Sequence, residues 1–354
     1  MAKVAVLKTN PSTVIEDYGR LMDLAEYRKY ISKKHETIIK LNLSWSLYYP
    51  ACSTQPWQLE GVLKKVIDDG YKSLHLVENK TVVTDVWKGA VGNKWMYTIE
   101  KYGLKYEPLT EVKWIDFKPK KQLLVLDKIF EDGHQIPEML IGKNVLHLPT
   151  IKTHGHCTIT GAMKNAFGGL ITEKRHHCHK VIHEVLVDLL TIQKEIHPGI
   201  FAVMDGTVAG NGNGPRTMMP EIKNYILASN DQVAVDAISA KMMGFDPLKI
   251  GFIKMAHDKG LGIGDPGQIE IIGENIENVN FGFKTGKSPV IYFDQLFRQG
   301  AFSFLEPMLF HTGLFALCIM GSEYYHDYVW YPTIGRYRIN KFKKTEWGKL
   351  LEKY

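Results

Sequence analysis

Polar residues stand where three predicted strands end. Lys40 and Asn42 are separated by one residue, as are Lys152 and His154, and Asp205 follows the apolar run from Ile200 to Met204. In extended backbone, residues i and i+2 point the same way. Ligands of open parallel sheets bind beyond the carboxyl ends of the strands. Lys40, Asn42 and Lys152 are therefore candidates for holding a substrate, and His154 and Asp205 for catalysis. The plainer alternative for each lysine is a solvated strand tip; together the set argues for a site.

The segment from Lys152 to Leu170 (KTHGHCTITGAMKNAFGGL) is the most informative. Thr160 and Lys164 are four apart and share one face of a helix, with Asn165 beside them. Gly161 and Gly168 cost helix stability, so they imply close approach of backbone or ligand. A lysine on such a helix near Lys152 has a like-charged neighbour. That either lowers its pKa, which suits a nucleophile, or demands an anion, which is the simpler answer.

The stretch Arg175-His-His-Cys-His-Lys-Val-Ile-His183 follows. On a helix, His176, His179 and His183 would line one face at the spacing metal sites use, which makes a divalent metal one expectation. Histidine also moves protons near neutral pH, so His179 is a catalytic candidate. A solvated basic turn is the bland alternative. Further on, Asp205-Gly-Thr-Val-Ala-Gly-Asn-Gly-Asn-Gly-Pro-Arg216 reads as a glycine-rich loop. There Gly212 and Gly214 leave N–H groups to wrap an anion, and Arg216 supplies charge. It is neither a P-loop nor a dinucleotide fingerprint, because the required lysine is missing and Pro215 and Pro220 interrupt any following helix. Asp236 lies in a helix that is apolar almost all round. Buried there, it needs a cation, such as a site lysine or Lys241, or strong hydrogen bonds.

The elements that must position these residues alternate. Strands are expected at Ala5–Leu7, Thr37–Leu43, Ser73–Glu78, Leu123–Leu126, Asn144–Leu148, Gly199–Met204, Lys223–Ala228 and Gln268–Ile272. Helices are expected at Thr13–Tyr27, after a Thr54 cap, near Trp87–Tyr102, and at Thr158–Leu170, Val181–Ile196, Gln232–Met243 (capped by Ser229) and Pro247–Lys259. The pattern predicts an α/β fold with a mainly parallel sheet flanked by helices. Residues 1–285 would form the core, with subdomains dividing near 150. Residues 286–354 would form an aromatic-rich C-terminal extension that packs on the core or makes a dimer or membrane-surface contact.

With 354 residues, 45% hydrophobic and 23% charged, the chain has the composition of a folded globular protein. Its net charge of +6 is spread along the chain, which fits a small anionic ligand and gives no reason to expect nucleic acid. The four cysteines form no CxxC pair, so no cysteine-ligated iron–sulfur cluster is expected, and their sparseness fits a reducing cytoplasm. The N-terminus carries no signal-peptide run, and Met308–Met320 is too short to span a bilayer, so no transmembrane segment is expected.

Ile38-Ile-Lys-Leu-Asn42, Leu148-Pro-Thr-Ile-Lys-Thr-His154, Thr160-Gly-Ala-Met-Lys-Asn-Ala-Phe-Gly168, Met204-Asp-Gly206, Gly212-Asn-Gly-Pro215, Leu227-Ala-Ser, Val235-Asp-Ala237 and Gly244-Phe-Asp-Pro247 resemble, in this order, the domain of unknown function 362 family. The resemblance implies a cytoplasmic α/β protein without an agreed activity. Many relatives carry ferredoxin-type cluster motifs; this chain does not. The Thr-Gly-Ala-Met-Lys-Asn block is also distantly similar to the lysine segment of nickel-pincer lactate racemases. That similarity implies Lys164 as a cofactor lysine, with His154 and His179 as proton carriers. Three functions follow as expectations: an enzyme acting on a small anionic substrate or cofactor, a non-catalytic metal or cofactor carrier using His176–His183, or a scaffold or membrane-surface adaptor acting through the C-terminal extension.

Overall fold

The computed structural model describes residues 2–131, 133–171 and 173–354, the side chains of residues 173 and 174 excepted. Its strands are β1 (Ala2–Lys8), β2 (Thr37–Lys40), β3 (Leu74–Glu78), β4 (Tyr106–Pro108), β5 (Trp114–Phe117), β6 (His134–Pro137), β7 (Asn144–His147), β8 (Thr150–His154), β9 (Thr158–Ile159), β10 (Ile200–Asn211), β11 (Met219–Ser229) and β12 (Ile269–Gly273). Its α-helices are α1 (Val14–Leu24), α2 (Pro56–Asp68), α3 (Val86–Gly92), α4 (Trp95–Lys101), α5 (Leu126–Ile129), α6 (Ala162–Leu170), α7 (Ile182–Ile196), α8 (Gln232–Met243), α9 (Gly251–Asp258), α10 (Pro289–Arg298), α11 (Glu306–Phe310), α12 (Phe315–Glu323), α13 (Arg336–Lys343) and α14 (Glu346–Leu351). A 3₁₀ segment spans Glu173–Val181, and a π-helical stretch, Tyr324–Gly335, joins α12 to α13.

The main sheet runs β12-β1-β11-β10-β7-β2-β3-β4, with β8 on β10 beyond β7 and β9 on β8. Neighbours are parallel except for β11, antiparallel to both β1 and β10, and β9, antiparallel to β8. Alternation along each strand divides its side chains between two cores. Val4, Ile38, Val145 and Met204 pack with α6–α9, whereas Ala5, Ile39, Leu146 and Val203 pack with α1, α2, α4, α13 and α14. All four residues of β2 are buried, as expected of a parallel strand covered on both faces.

The end of the chain is welded to this core. Trp347 meets Trp57 of α2 at 5.1 Å between ring centroids, and Trp330 meets Tyr49 at 5.3 Å.

Several element boundaries differ from the sequence reading, each for a local reason. Residues 123–126 form no strand, because the N–H groups of Leu124, Val125 and Leu126 all donate to the buried Asp188 carboxylate. The helix expected from Thr158 begins at Ala162, since Thr158 and Ile159 pair with β8. Gln55, not Thr54, caps α2 through a capping box with Gln58; the Thr54 hydroxyl bridges Asn42 N–H and Leu148 C=O. Asp231, not Ser229, caps α8 by accepting from Val233 and Ala234. β10 does not stop at Met204 but continues to Asn211, so half of the expected glycine loop is strand.

Candidate functional site

β2, β3 and β8 end at one cavity of about 590 Å³. Lys40, Glu78, Thr150, Lys152 and His154 reach it from these strands, and Asn42 and Ser44 from the loop after β2. Thr160, Lys164 and Asn165 line it from α6 and its approach, and Arg175, His176 and His179 from the 3₁₀ segment. Asn213, Pro215 and Arg216 come from the β10–β11 connection. The far wall is made by α10 to α12, through Ile291, Phe293, Asp294, Phe297, Arg298, Phe310, Phe315 and Ile319 among others.

Lysine burial defines the floor. Lys40 Nζ pairs with Glu78 at 2.6 Å and donates to Leu41 C=O at 2.7 Å. Gly169 makes room for it, since a Cβ there would lie 3.2 Å from Lys40 Cε. Lys152, 1% exposed, donates to Thr150 Oγ1 at 2.5 Å and has no carboxylate within ion-pair distance among the described residues. Burial lowers its pKa from 10.5 to about 7, and the Lys164 charge pushes the same way. Burial also lowers the pKa of Lys164, which stands 5.3 Å from the centroid of the Phe167 ring. Arg216 donates Nε to Ser44 C=O and likewise has no ion-pair partner among the described residues.

The histidines around this floor are held neutral by burial. His154, His156 and His179 all have pKa values lowered mainly by desolvation; nearby cations lower His154 and His179 further, whereas Asp294 opposes the shift at His156. The His154 Nδ1 accepts from His156 N–H at 3.1 Å, so Nε2 carries the proton of the neutral ring. His156, His179 and Asp294 bring ligand atoms within 4.8 Å of one another. Two features of this trio oppose a metal in the observed arrangement. The two imidazoles are stacked at 5.0 Å with planes 5° apart, so their in-plane lone pairs do not converge. The Asp294 oxygens accept from Arg298 Nε at 2.9 and 3.0 Å.

Not every residue predicted from sequence reaches the cavity. Asp205 is the clearest correction. It is fully buried in β10 and faces α1 and α2, accepting from Tyr18 Oη and Trp57 Nε1 there and from Thr207 Oγ1 of its own strand. Burial raises its pKa to about 6 against the lowering pull of these donors. Its register on β10 puts it on the side away from α6. Asp236 pairs with no lysine among the described residues: its carboxylate accepts from Ala162 N at 2.6 Å and Met163 N at 3.0 Å, anchoring the start of α6. Gly161 lets it approach, because a Cβ there would fall 2.2 Å from Asp236 Oδ1. Asp236 therefore positions Lys164 and Asn165 and does not line the cavity.

Gly212 and Gly214 also stand outside the lining. Gly214 N–H donates to Gly212 C=O, which also accepts from Gly286 N–H, so the loop latches the C-terminal segment rather than offering a ring of free amides. His183 is turned away, its Nδ1 accepting from Phe252 N–H, so His176, His179 and His183 form no common ligand face. The 3₁₀ winding from Glu173 to Val181 breaks the helical spacing on which that face depended. Glu78, His156, Arg175, Asp294 and Arg298 are lining residues that sequence reasoning left unassigned. Glu78 ends a strand as Lys40 does, so the strand-end rule carried a signal for it. Asp294 and Arg298, four apart on an amphipathic helix, gave only the signal of a surface pair.

Residues 37–241 match the family model described as Domain of unknown function (DUF362). The chain belongs to the DUF362 family. A cyanobacterial relative, the thylakoid-associated protein sll1697 of Synechocystis sp., is 30% identical over 123 residues, which is 34% of this chain and 37% of that protein. The match therefore spans little more than a third of the relative. No solved structure matches. The DUF362 segment contains the cationic floor from Lys40 to Arg216, together with Asp205 and Asp236. Asp294, Arg298 and the aromatic far wall come from residues beyond it.

Proposed function

We propose that this DUF362 protein is an enzyme acting on a small anionic substrate or cofactor in the cavity at the ends of β2, β3 and β8. One observation carries the reading: Lys152, Lys164 and Arg216 line a single cavity, and none has a carboxylate within ion-pair distance among the described residues. Lys152 is buried and Lys164 and Arg216 are half-buried; cations so placed without a counter-ion are costly, and a bound anion removes that cost. Lys152, with a pKa near 7, is poised to give or take a proton at neutral pH, and the protonated Nε2 of neutral His154 is a second donor. Asn42, Thr160 and Asn165 supply neutral hydrogen-bonding groups around the anion. We place the protein in a reducing compartment such as the cytoplasm, where its four free cysteines stay unpaired.

Titration calorimetry of the full chain with sulfate, phosphate and small carboxylates tests the anion site. Binding by the wild type, weakened at least about tenfold in Lys164→Met, is expected from loss of one charge-assisted hydrogen bond. Equal affinities in the two proteins would sink the proposal. Metal analysis of untagged protein separates this reading from a metal carrier, for which a stoichiometric transition metal is required.

A further inference from the structure

We infer that the anion held by the cationic floor carries an apolar tail, and that the protein takes it from the surface of a bilayer containing anionic lipid. This rests on the anion-site reading above and extends it to the class of ligand. Three independent features of the structure point the same way.

The first is the cavity itself. At about 590 Å³ it falls in the range of sites for drug-sized ligands and is far larger than an inorganic anion requires. Its polarity is divided: Lys152, Lys164 and Arg216 line one part, while the wall from α10 to α12 is mostly apolar, through Ile291, Phe297, Phe310, Phe315 and Ile319, interrupted by the Asp294–Arg298 ion pair. A hydrophilic anion leaves that wall facing water, whereas an alkyl or prenyl chain covers it.

The second is α12, whose first six residues, Phe-Ala-Leu-Cys-Ile-Met, are apolar on every side. Such a helix belongs in a core or against lipid. Here Phe315, Cys318 and Ile319 line the cavity, but Leu317 is 59% and Met320 56% exposed on the same short helix. Tyr324 and Tyr328 extend the exposed side into the π-helical stretch, and Phe304 and Met308 lie just before α12. One thin helical layer thus separates the cavity from an outward apolar surface. No single helix among the described residues is long and apolar enough to cross a membrane. The segments Ser303–Phe310 and Phe315–Lys343 pass on length and composition only as a pair bent by 90°. A bent pair with one exposed apolar side suits the interface better than a straight span.

The third is charge. The same helical rod ends in Arg336, Arg338, Lys341, Lys343 and Lys344, with no acidic residue from Arg336 to Thr345. All but Arg338 are exposed. A basic rim beside an apolar, tyrosine-bearing face complements anionic headgroups. A second copy docking through the same face in a twofold contact would bring these cations together.

Two measurements on the full chain test the inference. Flotation should show binding to vesicles of phosphatidylcholine with phosphatidylglycerol and little to phosphatidylcholine alone. The exposed-site double variant Leu317→Asp/Met320→Asp should lose vesicle binding at least about tenfold while binding inorganic phosphate as the wild type does. Decyl phosphate and decanoate, below their micellar concentrations, should bind more than about tenfold tighter than phosphate and acetate, since each buried methylene contributes roughly fourfold. Comparing the two pairs tells a phosphate head from a carboxylate head. Failure to bind mixed vesicles, or a concentration-dependent dimer abolished by the double variant, overturns the bilayer assignment. Phosphate binding without any gain from the decyl chain overturns the tail and leaves the anion site standing. No binding of any of these anions overturns the anion site itself.

Discussion

Replacing Lys152 by methionine should make the ligand-free protein more stable and the proposed anion site nearly useless. Lys152 is buried at the end of β8 with Thr150 Oγ1 as its hydrogen-bond partner, and its pKa falls from 10.5 to about 7. The folded chain therefore holds this proton less tightly than the unfolded chain. Its share of stability is complete only above about pH 10.5 and is lost as the pH falls towards 7. The loss amounts to about 4 kcal/mol at pH 7 and about 2 kcal/mol at pH 9. Lys152→Met removes that cost, so urea denaturation at pH 7 should show a gain of about 2–4 kcal/mol, in line with other replacements of buried charges by apolar groups. The gain should shrink by about 2 kcal/mol between pH 7 and pH 9.

Sulfate, fully ionised across this range, is a clean probe of the same group. At pH 7 Lys152 is about half protonated without a bound anion, and a bound dianion should complete its charge, so binding should take up about half a proton. Calorimetry in buffers of different ionisation enthalpy measures that uptake directly. Lys152→Met should bind sulfate about 30-fold or more weakly, the loss of one charge-assisted hydrogen bond in a buried site. Heats independent of buffer, together with unchanged sulfate affinity in the variant, would refute the reasoning.

Other residues give further tests. Asp205→Asn should lower stability by about 2–4 kcal/mol in urea, because Tyr18, Trp57 and Thr207 all depend on that carboxylate. It should leave sulfate affinity within about twofold; a large loss of affinity would return Asp205 to the site. Asp236→Ala should cost about 1–3 kcal/mol by orphaning Ala162 and Met163 N–H. It should also weaken sulfate binding through displaced Lys164, and stability loss with unaltered affinity would remove its positioning role. Three buried histidines outside the cavity lining, His134, His147 and His197, have pKa values lowered to about 4, 3 and 4, chiefly by desolvation. Their stability contribution is complete above the unfolded value near 6.5 and is lost as the pH falls towards the folded values. Each should cost about 2 kcal/mol between pH 7 and pH 5, so a flat urea midpoint over that interval would count against neutral burial.

Much of the framework was legible along the chain. Buried β-branched runs such as Thr37–Lys40 and the amphipathic spacing of α1 and α7 depend on neighbours a few residues away, and local sequence carries that information. The strand-end rule placed Lys40, Lys152 and His154 near one another because parallel strands share a carboxyl edge. It failed for Asp205, because nothing local announces that β10 runs on to Asn211 or that the residue at that register meets α1 and α2. Local pattern failed for the strand expected at Leu123–Leu126 because Asp188, more than sixty positions away, captures the amides of residues 124–126.

Sequence alone thus determined the α/β architecture and the cationic character of its glycine-punctuated segments, since composition and short-range periodicity encode these, and the order of its motifs carried the resemblance to its family. Only the tertiary structure decided which charges are paired. Lys40 finds Glu78 while Lys152 does not, and Asp236 serves two backbone amides instead of a lysine. Tertiary packing also turned the C-terminal segment from an appendage into a wall of the cavity. Pairing, burial and desolvation depend on distances between groups far apart in the chain, and those distances exist only once the sheet has brought its edges and helices together.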